Sequence, residues 1–216
     1  MGFSSKFWIF LGLSCLEFIF LVGPAIYFKK VRKESIYSSL ILKSFPQKRS
    51  GWSRLGDIGA GIAAGIFLYL IAYGLLIATY YGIVGIFGED FYGAAISGSI
   101  DVSPDTVFIG EVICTILIYF LIIAVCEEYF FRSVLFVELK KVVGNWSYII
   151  NGLIFALYHI FPGIVPIQTT ITYFFYYFVI GILLCVLLDK QKNDSLSNII
   201  AHGVFNSIPL LIILFG

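Results

Sequence analysis

The chain has 216 residues, of which 60% are hydrophobic and only 12% are charged, and its mean hydropathy is +0.98. Soluble domains carry about 25% charged residues, so this composition excludes a soluble globular protein and predicts an integral membrane protein. The net charge of +1, with no basic patch outside the loops between hydrophobic runs, excludes a nucleic-acid-binding protein.

Hydrophobic runs of bilayer length predict an all-α, polytopic membrane helix bundle that forms a single integral-membrane domain over residues 1–216. The first run lacks a small-x-small cleavage site, so we interpret it as a retained span rather than a signal peptide. A basic, amphipathic stretch at 35–55 is predicted to be an interfacial helix or loop. The six predicted spans are 7–28, 57–87, 106–138, 145–161, 169–188 and 195–215.

Lysine and arginine are concentrated in alternate loops between the predicted spans. Twelve of the 14 basic residues lie at 29–54, 140–141 and 190–192, whereas the loops at 88–105 and 162–168 have none. The positive-inside rule therefore predicts that the three basic loops face the cytoplasm and that both termini lie on the outer side of the cell membrane.

Three fragments place ionisable side chains inside predicted spans, where a charge costs about 2.5–3.5 kcal/mol. At about 1.5 Å per helical residue, all three reach the layer between the cytoplasmic ends of their helices and the middle of the bilayer. Intramembrane ionisable residues are functional-site candidates by default, so this convergence predicts one site in a motif-bearing core at 106–215. The residues are Glu127, Glu128 and Arg132 in the third span, His159 in the fourth, and His202 with Asn206 in the sixth.

Helical spacing predicts which of these side chains share a face. Glu128 and Arg132 are four residues apart and are expected to pair, which leaves Glu127 free for other chemistry. The same spacing separates His202 from Asn206, so these two side chains are expected to face one way. Phe155 and His159 are also four residues apart, so the phenylalanine ring can pack against the imidazole.

These residue types suit water attack on a carbonyl group. A carboxylate facing an imidazole can hold and deprotonate a water molecule, and histidine can carry the proton to a leaving amine. A second histidine and an asparagine are donors of the kind that stabilise an oxyanion. Each pair also has a structural interpretation, because polar side chains hold membrane helices together. Spacing alone does not assign the roles.

The three fragments resemble the ordered motifs of a known family. The motifs are similar to those of the CPBP family, which covers CAAX prenyl proteases and bacteriocin-processing or Abi proteins. The resemblance covers about residues 127–206 and is specific to the family but not to a substrate. The matching residues are EExxxR at Glu127, Glu128 and Arg132, FxxxH at Phe155 and His159, and HxxxN at His202 and Asn206.

The resemblance implies an intramembrane, glutamate-dependent endopeptidase. Its substrate would be a peptide or protein in contact with membrane lipids, cleaved near its C-terminus and prenylated in CAAX-type members. The roles that the resemblance implies are water activation by Glu127 with His159, oxyanion binding by His202 and Asn206, and support of the site by Glu128 and Arg132.

Two questions stay open at this point. Family members are often labelled metalloproteases, but the sequence lacks HExxH or other dense metal-ligand spacing, which favours chemistry without a metal cofactor. A zinc ion held by Glu127, His159 and His202 is the alternative. The alternative functions are a non-catalytic immunity or scaffold protein that binds a peptide in the same cavity, and a proton-coupled carrier, although no internal symmetry indicates a carrier.

Overall fold

The computed structural model describes residues 3–35, 38, 40, 43–45, 50–98 and 108–215. Within these ranges the chain is helical and has no β-strand, which confirms the predicted all-α membrane bundle. Five segments in this part of the chain are long and apolar enough to cross a membrane, namely Ser5–Lys30, Gly51–Phe87, Ile109–Val143, Ile167–Lys190 and Leu196–Phe215.

We number the principal helices in chain order. They are α1 (Ser5–Leu16), α2 (Ile19–Lys30), α3 (Gly51–Phe87), α4 (Glu89–Ser97), α5 (Ile109–Val143), α6 (Trp146–His159), α7 (Ile167–Lys190) and α8 (Leu196–Phe215).

The first predicted span, 7–28, is not one uninterrupted helix. Between α1 and α2 the backbone tightens, so that Glu17 N–H donates to Ser14 O at 3.2 Å and Phe18 N–H donates to Cys15 O at 3.3 Å. Bonds of this i→i+3 type inside a helix often mark a functional position. Glu17 lies at this tight turn.

The fourth predicted span, 145–161, differs from the others in length. It forms α6, which has 14 residues, and at 1.5 Å per residue it is about 21 Å long, shorter than the ~30 Å hydrocarbon core of a bilayer. Before it, Gly144 takes a positive φ of 55° that suits glycine. Beyond it, Pro162 cannot donate a helical hydrogen bond. Helix α6 is therefore too short to cross the core by itself.

Two predicted loops also differ from the structure or lie partly beyond it. The predicted interfacial segment 35–55 falls partly outside the described residues, and its end forms the first turns of α3. The predicted loop 88–105 instead begins with helix α4, and its last residues lie outside the described ranges. In α4 the carbonyl of the fully buried Ala95 accepts a hydrogen bond from Thr169 Oγ1 at 2.8 Å, so α4 packs on the start of α7.

Helices α3 and α8 pack with their backbones in close approach. A Cβ atom added at Gly65 would lie 2.6 Å from Ala201 O and 2.7 Å from Val204 Cβ. Small residues permit such contact between helices in lipid, where close van der Waals packing drives association. This contact fixes the position of α8, which carries His202 and Asn206.

We expect Gly65→Ala to lower the free energy of unfolding by about 1–3 kcal/mol, because the added methyl group overpacks the contact between α3 and α8. Gly74→Ala is the matched control on the same helix, since a Cβ atom there meets nothing within 4 Å. Thermal unfolding in detergent measures both variants. Equal melting temperatures for the two would contradict the packing described above.

Candidate active site

A cavity of about 310 Å³ lies between the helices that carry the three motifs. Its lining includes Glu127 from α5, Phe155 and His159 from α6, and His202 and Asn206 from α8. The fold therefore brings together side chains that are up to 79 residues apart in the sequence, from Glu127 to Asn206. They are the candidates for water activation and oxyanion binding.

Glu127 is the carboxylate that faces both imidazoles. Its Oε2 lies 3.7 Å from His159 Nε2 and 3.9 Å from His202 Nε2. Both distances exceed that of a direct hydrogen bond, and Oε2 is buried without a hydrogen-bond partner among the described residues. Buried polar atoms are normally hydrogen-bonded, and a water molecule can fill this need where several polar groups face it. The geometry fits a water molecule held between Glu127 and the two imidazoles.

The two histidines differ in what lies behind their rings. His159 Nδ1 is 2.9 Å from Phe155 O, and since a carbonyl only accepts, Nδ1 carries the proton and the neutral ring leaves its lone pair at Nε2. His202 Nδ1 donates to Glu128 Oε1 at 2.8 Å. The Nδ1 partner of His159 is therefore a neutral carbonyl. The Nδ1 partner of His202 is a carboxylate, which can stabilise an imidazolium.

Aromatic rings hold His159 in place. Its imidazole stacks on Tyr177 with ring centroids 4.4 Å apart and lies against Phe155 at 4.3 Å. The Phe155 ring also supports Arg132, whose Cζ atom is 4.2 Å from the ring centroid in a cation–π contact. Phe155 thus contacts both His159 and the buried Arg132.

Glu128 lies behind the cavity lining and joins several helices. Its Oε2 is 3.3 Å from Arg132 Nε, and both side chains are 0% exposed, so the pair expected from their spacing is present. Asn198 Nδ2 donates to the same Glu128 oxygen at 3.2 Å and to Leu184 O at 2.7 Å. The motif pattern missed Asn198, although its position four residues before His202 on the same helical face was a signal.

Helix α5 carries Glu127 and Glu128 next to widened turns. The segments Tyr119–Ile123 and Glu128–Phe136 are π-helical, a geometry that is rare and frequent at functional sites. In the second segment, Phe131 O accepts a hydrogen bond from Asn151 Nδ2 at 2.7 Å. The second widened segment is therefore bonded to a neighbouring helix, α6.

Glu17 also lines the cavity, although the motifs did not include it. Tyr158 O–H donates to Glu17 Oε1 at 2.6 Å. The signal for this residue was an ionisable side chain inside the predicted span 7–28, the same signal that identified the motifs. Glu111 is also an ionisable residue inside a predicted span, but it does not line this cavity. Its two carboxylate oxygens accept hydrogen bonds from Ser4, one from N–H at 2.9 Å and one from Oγ–H at 2.6 Å.

The donor set considered for zinc does not form a metal site as it stands. In the ranges that the structure covers, no group of three or more His, Cys, Asp or Glu side chains has the arrangement needed to hold a metal ion. Glu127, His159 and His202 face one another, but their separations of 3.7 and 3.9 Å are longer than the ~3.3 Å between donors that tetrahedral zinc geometry requires.

Residues 109–208 match a family model described as type II CAAX prenyl endopeptidase Rce1-like. The matched range runs from the start of α5 into α8 and contains all three motifs. It confirms the family resemblance predicted from the sequence and leaves Glu17 outside. No curated protein and no solved structure matches the chain.

Proposed function

Because residues 109–208 belong to the Rce1-like family of type II CAAX prenyl endopeptidases, we propose that the protein is an intramembrane endopeptidase whose attacking water is activated by Glu127 and His159. The observation that carries this proposal is the unpaired, buried Oε2 of Glu127, which faces two imidazole nitrogens in a cavity. The proposed substrate is a membrane-associated peptide, prenylated or otherwise, cleaved near its C-terminus.

In the proposed reaction, Glu127 takes one proton from the water as the water oxygen forms a bond to the scissile carbonyl carbon, and this proton passes to His159 Nε2. The carbonyl π electrons move to oxygen, and His202 and Asn206 stabilise the resulting oxyanion by hydrogen bonding. The oxyanion then re-forms the carbonyl group and the C–N bond breaks as His159 delivers the proton to the leaving amine. The products are a free amine and a carboxylic acid, which releases its proton to water.

The hydrogen-bond partners of the two histidine Nδ1 atoms support this division of roles. His159 Nε2 offers a lone pair that can accept the water proton, because its Nδ1–H is committed to Phe155 O. To donate through Nε2 to an oxyanion, His202 needs a second proton, and the Glu128 carboxylate at 2.8 Å stabilises the charge that this proton brings. Arg132 Nε in turn lies 3.3 Å from Oε2 of the same Glu128 side chain.

A second cavity supports a lipid-linked substrate. It has a volume of about 400 Å³, includes Tyr69 and Tyr73 in its lining, and shares Tyr119, Phe205 and Asn206 with the cavity around Glu127. Space of this mainly aromatic kind suits an apolar group. In the proposed complex it takes the apolar part of the substrate while the peptide bond lies at Glu127.

We propose that the site opens to the cytoplasm. The basic loops around 29–54, 140–141 and 190–192 support this orientation through the positive-inside rule. Lys140, in one of these loops, forms an ion pair with Asp189 at the end of α7. That pair joins the basic ends of α5 and α7, which supports a common side of the membrane for the two loops.

The test of the function is peptide cleavage by the purified protein in detergent. We expect mass spectrometry to detect a new C-terminal fragment from prenylated or unprenylated CAAX-like peptides, and no fragment with His159→Ala. A protein that binds these peptides and leaves all of them intact would instead be a scaffold or immunity factor.

Cleavage is expected to be unchanged by a metal chelator, because the proposed base and oxyanion donors are protein side chains. The control is the same chelator presaturated with calcium, which reports any effect on the detergent-solubilised protein itself. Activity that disappears with the free chelator and returns with added Zn²⁺ would show that a metal ion takes part.

A further inference from the structure

The charged groups that line the cavity around Glu127 are acidic. Among its described lining residues the carboxylates are Glu17 and Glu127, and no lysine or arginine is present. Arg132, the buried cation of the motifs, is paired with Glu128 at 3.3 Å and lies over the Phe155 ring. Its charge is therefore compensated outside the cavity, and no lysine or arginine faces the two carboxyl groups there.

Glu17 is held by one oxygen and presents the other without a partner. Oε1 accepts the hydrogen bond from Tyr158, whereas Oε2 is buried and has no hydrogen-bond partner within the described part of the chain. The same is true of Oε2 of Glu127, whose side chain is only 3% exposed. Water activation accounts for the Oε2 atom of Glu127 but not for the Oε2 atom of Glu17. A buried carboxylate oxygen without a hydrogen-bond partner costs free energy.

We propose that Glu17 determines substrate specificity by binding a lysine or arginine side chain of the substrate beside the cleaved bond. This inference rests on the proposed endopeptidase function. A cationic side chain supplies the missing donor to Oε2 in a charge-assisted hydrogen bond and compensates the acidic cavity. The nearby rings of Tyr176 and Tyr177, which line the same cavity, add surfaces that attract cations.

A purely structural role for Glu17 would make a different demand on its side chain. A hydrogen bond that joins the first span to α6 needs only an acceptor for the Tyr158 hydroxyl, and a glutamine amide oxygen can be that acceptor. Selection of a cation needs the negative charge. Glu17→Gln therefore separates the two roles while retaining the bond to Tyr158.

The experiment compares peptides that differ only by lysine or norleucine at each position flanking the cleaved bond. With the full-length protein in detergent, we expect kcat/KM to be about tenfold higher for the lysine peptide at one position, the size of one charge-assisted hydrogen bond. In Glu17→Gln this ratio is expected to fall to about one through a higher KM for the lysine peptide.

Glu111→Gln is the matched control, because it neutralises another buried carboxylate that is bonded to Ser4 and does not line the cavity. Its lysine preference should equal that of the wild type. Equal cleavage of both peptides at every flanking position, or an unchanged ratio in Glu17→Gln, would overturn the specificity role and leave the endopeptidase function standing.

Failure of the endopeptidase function gives a separate result, in which the wild type cleaves no peptide at all. The specificity role is then decided by the affinity of the same peptides, labelled with a fluorophore, for the wild-type protein and for Glu17→Gln. Tighter binding of the lysine peptide that is lost in Glu17→Gln supports the role. Equal binding of both peptides overturns it.

Discussion

Glu127→Gln is expected to lower kcat for peptide cleavage by about 10²–10⁴-fold, the contribution typical of a general base, with little change in KM. Glutamine has nearly the same shape as glutamate but cannot accept the proton of the attacking water. The rate of fragment release under saturating peptide, followed by mass spectrometry, measures the effect.

Two controls make the Glu127→Gln result specific. Glu111→Gln makes the same chemical change in the same helix, outside the cavity, and should retain kcat within a small factor. Peptide affinity of Glu127→Gln should match that of the wild type, because the substrate contacts are retained. Cleavage by Glu127→Gln at the wild-type rate would remove Glu127 from the mechanism.

Arg132→Met is expected to lower the free energy of unfolding by about 3–5 kcal/mol, because it leaves the Glu128 carboxylate buried without its cation. Both side chains are 0% exposed, so water cannot replace the lost partner. The variant also loses the cation–π contact with the Phe155 ring. Thermal unfolding in detergent measures the loss of stability.

The double variant Glu128→Gln/Arg132→Met tests whether the uncompensated charge is the cause. Removing both members of a buried ion pair is often nearly neutral, so we expect the double variant to recover most of the lost stability. Its kcat should nevertheless stay low, since His202 no longer has a carboxylate at Nδ1. A double variant less stable than Arg132→Met alone would contradict this account of Glu128.

The convergence of the three motifs could be anticipated from the sequence because charge in lipid is costly. Glu127, His159 and His202 each had to find polar surroundings, and a shared cavity provides them at least cost. The pairing of Glu128 with Arg132 followed from helical spacing. The catalytic roles assigned to these residues are proposals that the cleavage experiments above decide.

Other features depended on contacts that no local pattern reports. The second π-helical segment of α5 is stabilised by a bond from Asn151 on α6 to Phe131 O, two groups that only tertiary structure brings together. The length of α6 followed from the stop at Pro162, but its consequence for crossing the bilayer needed the observed helix bounds. Glu17 was visible as an acidic residue in an apolar run, yet its bond to Tyr158 and its place in the cavity lining needed the structure.

The most direct measurement uses wild-type protein and a CAAX-like peptide in water enriched in heavy oxygen, with the products analysed by mass spectrometry. Attack by a water molecule at the Glu127 cavity predicts two fragments from the wild type, one of which has gained a single heavy oxygen atom in its new carboxylate. Glu127→Gln is expected to release these fragments at least about 10²-fold more slowly. A wild-type protein that holds the peptide and returns it intact, with no label incorporated, would contradict the hydrolytic mechanism.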